Sequence, residues 1–388
     1  MPLEVLWLLL PVAAASGWIA ARRASSRSSR PAMFNLSPHY FEGLNYLLNE
    51  QPDKAIEVFV KMVEVDSETV ETHLALGSLF RQRGEVDRAI RIHQNLVART
   101  TLSLDQRAQA MLDLGRDYMS AGVLDRAEAL FKELVELDLH SLRALEFLNT
   151  VYETEKEWED AILTARQIET KTGVRWNDVI AHYFCEMATE AKEACDYDAA
   201  RRYIRNALAI DEHCVRASIL EGHIERTVGN CRAALLAFER VEMQDPGYVD
   251  EVITLMYECY CELNKPDRVL DNLREKHGQN GGLKTTLLLA DLIQARRGSA
   301  EAAAFVEAYL QKQSSLKGVL KYIEIERSQA KESALARLDT IAKVIGRIVE
   351  RSPLYKCTHC GFSGRKMHWQ CPSCKIWSGV KPLQGLEI

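Results

Sequence analysis

Four cysteines of this 388-residue chain crowd into YKCTHCGFSGRKMHWQCPSC, as Cys357-x2-Cys360 and Cys371-x2-Cys374 with ten residues between the pairs. A CxxC turn aims two thiolates and nearby backbone N–H groups at one point. Two such turns close a tetrahedral sulfur cage suited to one zinc or iron ion. Four thiolates leave no open position for water or substrate, so the chemistry expected is structural or one-electron, not hydrolytic. Gly361 follows the first pair, where an unhindered backbone is commonly needed, and Pro372 stiffens the second. Lys375 departs from this pattern by standing where a glycine often follows. His359 and His368 are nearby alternative ligands, but the four cysteines already fill the set. So short a segment cannot build an adequate core unaided, and metal binding is expected to fold it. Phe362, Trp369, Ile376 and Trp377 are expected to cover the cage and seal it onto the last helices, a partner-binding face being the alternative.

The other six cysteines, Cys185, Cys195, Cys214, Cys231, Cys259 and Cys261, are not spaced like a disulfide framework and are expected to pack as small hydrophobes. Cys259 and Cys261, two residues apart, cannot face one another on a helix. The chain contains no GxxxxGK[ST], HExxH or GxSxG, the patterns of phosphate loops, zinc proteases and serine hydrolases. A non-enzyme is expected, with no catalytic residue. Lys and Arg number 49 against 55 Asp and Glu, a net charge of −6, which gives no global basic field for a nucleic acid.

What positions the cysteines is mostly helix. Only 20 glycines and 10 prolines interrupt the chain, and 47% of its residues are hydrophobic, a balance that favours an all-α fold with a large core. A small-residue track runs through Gly43, Gly77, Gly115, Asn149, Ala188, Gly222, Met256 and Ala290, with gaps of 34, 38, 34, 39, 34, 34 and 34. Twelve residues after each stands Ala55, Ala89, Ala127, Ala161, Ala200, Ala234, Arg268 and Ala302. Tyr46, Phe80, Tyr118 and Tyr152 lie three after the first track, while Phe59, Phe131 and Phe238 lie four after the second. Small residues on two helices let them approach closely, and the aromatics are expected to fill the gap against the next pair.

This pattern resembles the tetratricopeptide family over about eight repeats, residues 36–315, departing from it at Met256 and Arg268. The insertions near 101–106 and 171–177 are expected to be longer turns between pairs, and residues 316–352 to be further helices. The resemblance implies a superhelix with a concave surface for gripping a protein. Arg81, Arg116, His223 and Arg226 are its candidate concave residues. Residues 353–388 resemble the rubredoxin-like group, in its short-spacer form, and the zinc ribbon of certain bacterial DNA-repair ATPases.

Residues 1–21 are a different material. From Leu3 to Ala21 the only charge is Glu4, and nineteen residues make roughly 29 Å of helix, one hydrocarbon thickness. Arg22, Arg23, Arg27 and Arg30 follow, in a tether of residues 22–35. A cleaved signal peptide would carry its positive charge before the apolar run. One transmembrane helix is therefore expected, with the bulk of the chain on the cytoplasmic side.

Anchor, repeats and tetracysteine ribbon in this order resemble the lipopolysaccharide assembly protein B family across the whole chain. The resemblance implies an adaptor on the cytoplasmic face of a bacterial inner membrane that regulates lipopolysaccharide synthesis. Its implied partners are a membrane AAA+ metalloprotease, the lipid A pathway deacetylase brought to it for degradation, and an inner-membrane regulator that senses lipopolysaccharide. The rubredoxin-like likeness leans toward iron in the cage, with zinc equally acceptable to four thiolates. The alternative function is membrane-tethered electron transfer through that iron. A nucleic-acid partner is not expected, and a homo-oligomer is left open.

Overall fold

The computed structural model describes residues 38–49, 51–65, 70–264 and 282–383. The expected membrane helix, the tether and Arg268 lie outside these residues. Among the described residues no helix is long and apolar enough to cross a membrane.

The described helices fall into two compact units that part between Phe147 and Leu148. In the first, α1 (Pro38–Leu48) packs on α2 (Pro52–Val65), α3 (Val70–Gln82) on α4 (Val86–Val97), and α5 (Leu104–Ser120) on α6 (Leu124–Glu136). Helix α7 (Ser141–Glu155) carries the chain across the division. The second unit continues with α8 (Trp158–Thr172), then pairs α9 (Asn177–Glu193) with α10 (Tyr197–Ile210), and α11 (Val215–Thr227) with α12 (Cys231–Gln244). A single 3-10 turn at Pro246–Tyr248 leads into α13 (Val249–Glu262). Helices α14 (Leu283–Arg297) and α15 (Ser299–Lys312) form the next pair, followed by α16 (Leu316–Arg327) and α17 (Glu332–Arg351).

The two small-residue tracks are the close-approach points of these pairs. Ala55, Ala89, Ala127, Ala161, Ala200, Ala234 and Ala302 are all fully buried. The glycines show why the first track is small. A Cβ at Gly43, Gly115 or Gly222 would stand 2.6, 2.5 or 2.2 Å from the ring of Phe59, Phe131 or Phe238, and one at Gly77 would stand 2.4 Å from His93. These rings therefore press on the glycine of their own pair, sixteen residues upstream, and Phe131 also stacks on Phe147 of the next helix at 5.4 Å, filling the gap as expected. Elsewhere the first-track residue is larger and its partner smaller than phenylalanine: in the same register places Asn149 answers to Ala165, Ala188 to Ile204 and Ala290 to Val306.

Seven residues after the first track the chain reverses through a left-handed residue, Gly84, Gly122, Lys156, Cys195 or Gly229. Cys195, with φ of 61°, is thus an exposed turn residue and not a core one. Cys261 is also exposed, whereas Cys185, Cys214, Cys231 and Cys259 are buried as expected. The two insertions lie between pairs. Ser103 caps α5 and trades hydrogen bonds with Gln106 in a capping box, while Gly173, at φ 70°, closes α8.

Arg81, expected on an open concave face, has a side chain only 9% exposed, and its Nη atoms bond Asp117 at 2.5 Å and Asp113 at 3.2 Å. Asp117 is fully buried and also meets His93 Nδ1 at 2.5 Å. A buried cation held by two buried carboxylates is internal wiring, not a docking surface. Arg116 bonds Asp113 at 3.1 Å and lies over the Phe147 ring. His223 sits edge-on to Phe238, and burial followed by the charges of Lys192 and Arg226 keeps its pKa below the usual histidine value. Arg226 is paired with Glu258.

Candidate metal centre

After α17 the chain turns extended at Ser352 and makes a three-stranded antiparallel sheet in the order β2-β1-β3. Its strands are β1 (Tyr355–Cys357), β2 (Ser363–Gly364) and β3 (Val380–Pro382), with Lys356 opposite Ser363 on one side and Lys381 on the other. Each CxxC forms the tight turn its spacing demands. Gly361 N donates to Cys357 O at 3.0 Å, and Lys375 N to Cys371 O at 2.9 Å. Gly361 takes φ of 76° and Lys375 φ of 60°, so the lysine occupies the left-handed place that glycine fills in the first knuckle.

The sulfur atoms of Cys357, Cys360, Cys371 and Cys374 all lie within 4.8 Å of one another. Across the two knuckles Cys357 Sγ is 3.7 Å from Cys374 Sγ, and Cys360 Sγ is 3.6 Å from Cys371 Sγ. A tetrahedral ion with metal–sulfur bonds of about 2.3 Å needs edges of about 3.8 Å, so the donor set fits one such ion. The electrostatics fit as well. The backbone N–H of Cys360, with that of His359, draws the Cys357 thiol down, and the Phe362 N–H draws Cys360 down to about 6. Cys374 is opposed: the Ile376 N–H draws it down, but burial and the neighbouring thiols outweigh this and push it up to about 12. The backbone thus favours the thiolate at Cys357 and Cys360, while ionising Cys374 beside them calls for a cation at the centre. His359 and His368 stand outside the cluster, His368 lying edge-on to Phe362. The four cysteines form a tetracysteine metal-binding site.

Phe362 and Met367 pack on the cage, and Met367 and Trp369 also pack against the core that runs on to Ile325 of α16, while Trp369 and Trp377 reach further, to α7, α9 and the 3-10 turn, and Ile376 is 38% exposed. Glu153 on α7 is the hub. Its carboxylate accepts from Trp377 Nε1 at 2.9 Å, from Gln370 Nε2 at 3.0 Å and from the Tyr183 hydroxyl at 2.6 Å. Burial, then the Glu153 charge, pushes the Tyr183 phenol well above its ordinary pKa, so it stays a donor. Trp377 also stacks on His182 at 5.0 Å and stands edge-on to Tyr183 at 5.9 Å. Trp369 stacks on Tyr248 at 5.5 Å, with the Arg216 guanidinium 6.0 Å from its ring centre. Four further polar contacts close the seam: His182 Nε2 with Ser378 Oγ (2.7 Å), Tyr248 OH to Val380 O (3.2 Å), Tyr355 OH to Glu251 (3.1 Å) and Lys381 to Asp245 (2.7 Å).

None of Glu153, His182, Tyr183, Arg216, Tyr248 or Glu251 stood out in the sequence. The one signal available was the pair His182–Tyr183, two hydrogen-bonding rings inside the otherwise apolar inner run of α9.

Comparison with known proteins agrees with this anatomy. A family model described as a rubredoxin metal binding domain matches residues 355–382. Tetratricopeptide repeat models match residues 72–107 and 112–172. A solved structure from a functional characterisation of Pseudomonas aeruginosa pilF aligns with a TM-score of 0.32 at 18% identity, covering 54% of this chain and 91% of that one. The curated relatives cover far more. Lipopolysaccharide assembly protein B of Escherichia coli (strain K12) is 38% identical over 386 residues, 99% of each chain. The Haemophilus influenzae protein of that name is 33% identical, again over 99% of each chain. Identity at that level along the whole length, through repeats and tetracysteine ribbon alike, places this chain in the lipopolysaccharide assembly protein B family.

Proposed function

We propose that this protein is a non-catalytic adaptor that regulates lipopolysaccharide synthesis from the cytoplasmic face of a bacterial inner membrane. In this reading Leu3–Ala21 anchors the chain. The repeats hold the deacetylase of the lipid A pathway and present it to a membrane AAA+ protease, and an inner-membrane regulator that senses lipopolysaccharide sets how often they do so. The observation that carries the reading is the full-length likeness to lipopolysaccharide assembly protein B. The chemistry supports it: helix pairs offer surface and no reaction centre, and a cage of four thiolates has no open coordination position. The ion, read as iron on the rubredoxin-like resemblance, would crosslink the two knuckles and so hold Trp369 and Trp377 in place.

Mass spectrometry of proteins co-purified with the intact chain from native membranes tests this directly. The protease and the deacetylase are expected together, and the deacetylase should live longer in cells lacking the chain. Recovery of neither, with an unchanged deacetylase lifetime, would overturn the proposal. Metal analysis and visible absorption of the same preparation decide between iron and zinc.

A further inference from the structure

At the seam between ribbon and repeats lies a cavity of about 100 Å3 bounded by α9, the start of α11, the end of α12 and the ribbon. Six buried side-chain polar atoms among the described residues have no hydrogen-bond partner, and three of them belong to residues lining this one cavity: His182 Nδ1, Arg216 Nε and Gln244 Oε1. His182 is 3% exposed and Arg216 6%. A buried polar atom without a partner forfeits its hydration with nothing in return, so three around one space point to a ligand that satisfies them together.

The donors specify an anion. Helix α11 begins here, with Cys214 at its N-cap supplying no side-chain hydrogen bond, so the positive end of the helix opens on the cavity beside the Arg216 guanidinium. Arg216 spends one Nη on Glu186 at 2.9 Å, which leaves Nε. Burial, then the charge of Arg216, pushes His182 down to about 3, so the ring is neutral. An anion at Nδ1 would hold the neutral ring as its Nδ1–H tautomer, with Nε2 then accepting from the Ser378 hydroxyl 2.7 Å away. Lys381 stands at the wall, its charge shared with Asp245.

The acceptors specify which anion. The Gln244 amide is fixed by its Nε2, which donates to Glu212 O at 2.6 Å, and that leaves Oε1 as an acceptor. The Asp211 carboxylate lines the same space, accepting from His213 N–H at 3.0 Å. Oε1 needs a ligand that still carries an O–H, which inorganic phosphate retains near neutral pH and sulfate does not. At roughly 30 Å3 per water, the volume suits one tetrahedral group and excludes a nucleotide or a sugar. We propose that this cavity binds a single inorganic phosphate ion, and that the ion fastens the metal ribbon to α9 and α11. The proposal does not depend on the adaptor reading.

Calorimetry on the full metal-loaded chain in detergent tests it, with inorganic phosphate, glycerol 3-phosphate and sulfate as titrants. One saturable phosphate site is expected, with sulfate weaker by about tenfold or more. Gln244→Met, which removes the acceptor without touching the ribbon, should erase the preference for phosphate over sulfate. Arg216→Lys should weaken both anions by about tenfold. Glycerol 3-phosphate, which has largely lost its last phosphate O–H at neutral pH, should bind more weakly than phosphate, and tighter binding of it overturns the proposal. No phosphate binding at millimolar concentration overturns the proposal, as does equal binding of phosphate and sulfate that Gln244→Met leaves unchanged.

Discussion

One carboxylate, Glu153, receives hydrogen bonds from ribbon residues 217 and 224 positions away. Because it also accepts from Tyr183, its removal strands three donors at once. Glu153→Ala should loosen the ribbon by about 2–3 kcal/mol, read as increased quenching of Trp377 fluorescence, while the metal content stays unchanged. Loss of metal in that variant would show that cage and seam are one cooperative unit. Cys357→Ser is the converse case. It should release the ion, unfold residues 354–380 and expose Phe362, Trp369 and Trp377, while the helical circular dichroism largely survives. A third residue tests the turns. Cys195 holds a left-handed φ of 61° at a place where Gly84, Gly122 and Gly229 stand in other repeats. Cys195→Gly should therefore raise stability by about 0.5–1 kcal/mol in thermal unfolding.

At the scale of helices, the register was legible because close approach leaves almost no choice of side chain. The ring of Phe238 lies where a Gly222 Cβ would be, so Gly222→Leu should destabilise by about 1–3 kcal/mol or more. Adding Phe238→Ala should recover part of that loss, a coupling that independent sites would not show. The same sterics explain what was not legible. A ring such as Phe131 meets both the glycine of its own pair and Phe147 of the next helix, and spacing alone reveals only one of the two contacts. The Arg81–Asp113–Asp117–His93 cluster was hidden for another reason. Charged residues spaced along α3 and α5 read as a solvated face until the partner helix closes over them. The cage was visible because its ligands are sequence neighbours. The seam was not, because no periodicity links Glu153 to Trp377.

For the molecule as a whole, the proposed anchor makes a topological prediction. A reporter fused after Ile388 should be active only in its cytoplasmic form, and activity on the other side of the membrane would end the adaptor reading. Removing residues 1–21 should leave a folded protein that works poorly at native expression, because tethering raises its effective concentration toward membrane-bound partners. The seam has a further consequence, in time. Glu153 and Trp377 are separated by 224 residues, and at about 5–20 residues per second a ribosome needs roughly 11–45 s to pass from one to the other. Over that interval the nascent chain holds Glu153, and later His182 and Tyr248 as each is made, without their ribbon partners, so these are the surfaces on which a chaperone would find each copy. Delivery of the ion then becomes the event that ends biogenesis, and cells short of that metal would accumulate chains whose helices are finished and whose seam is still open.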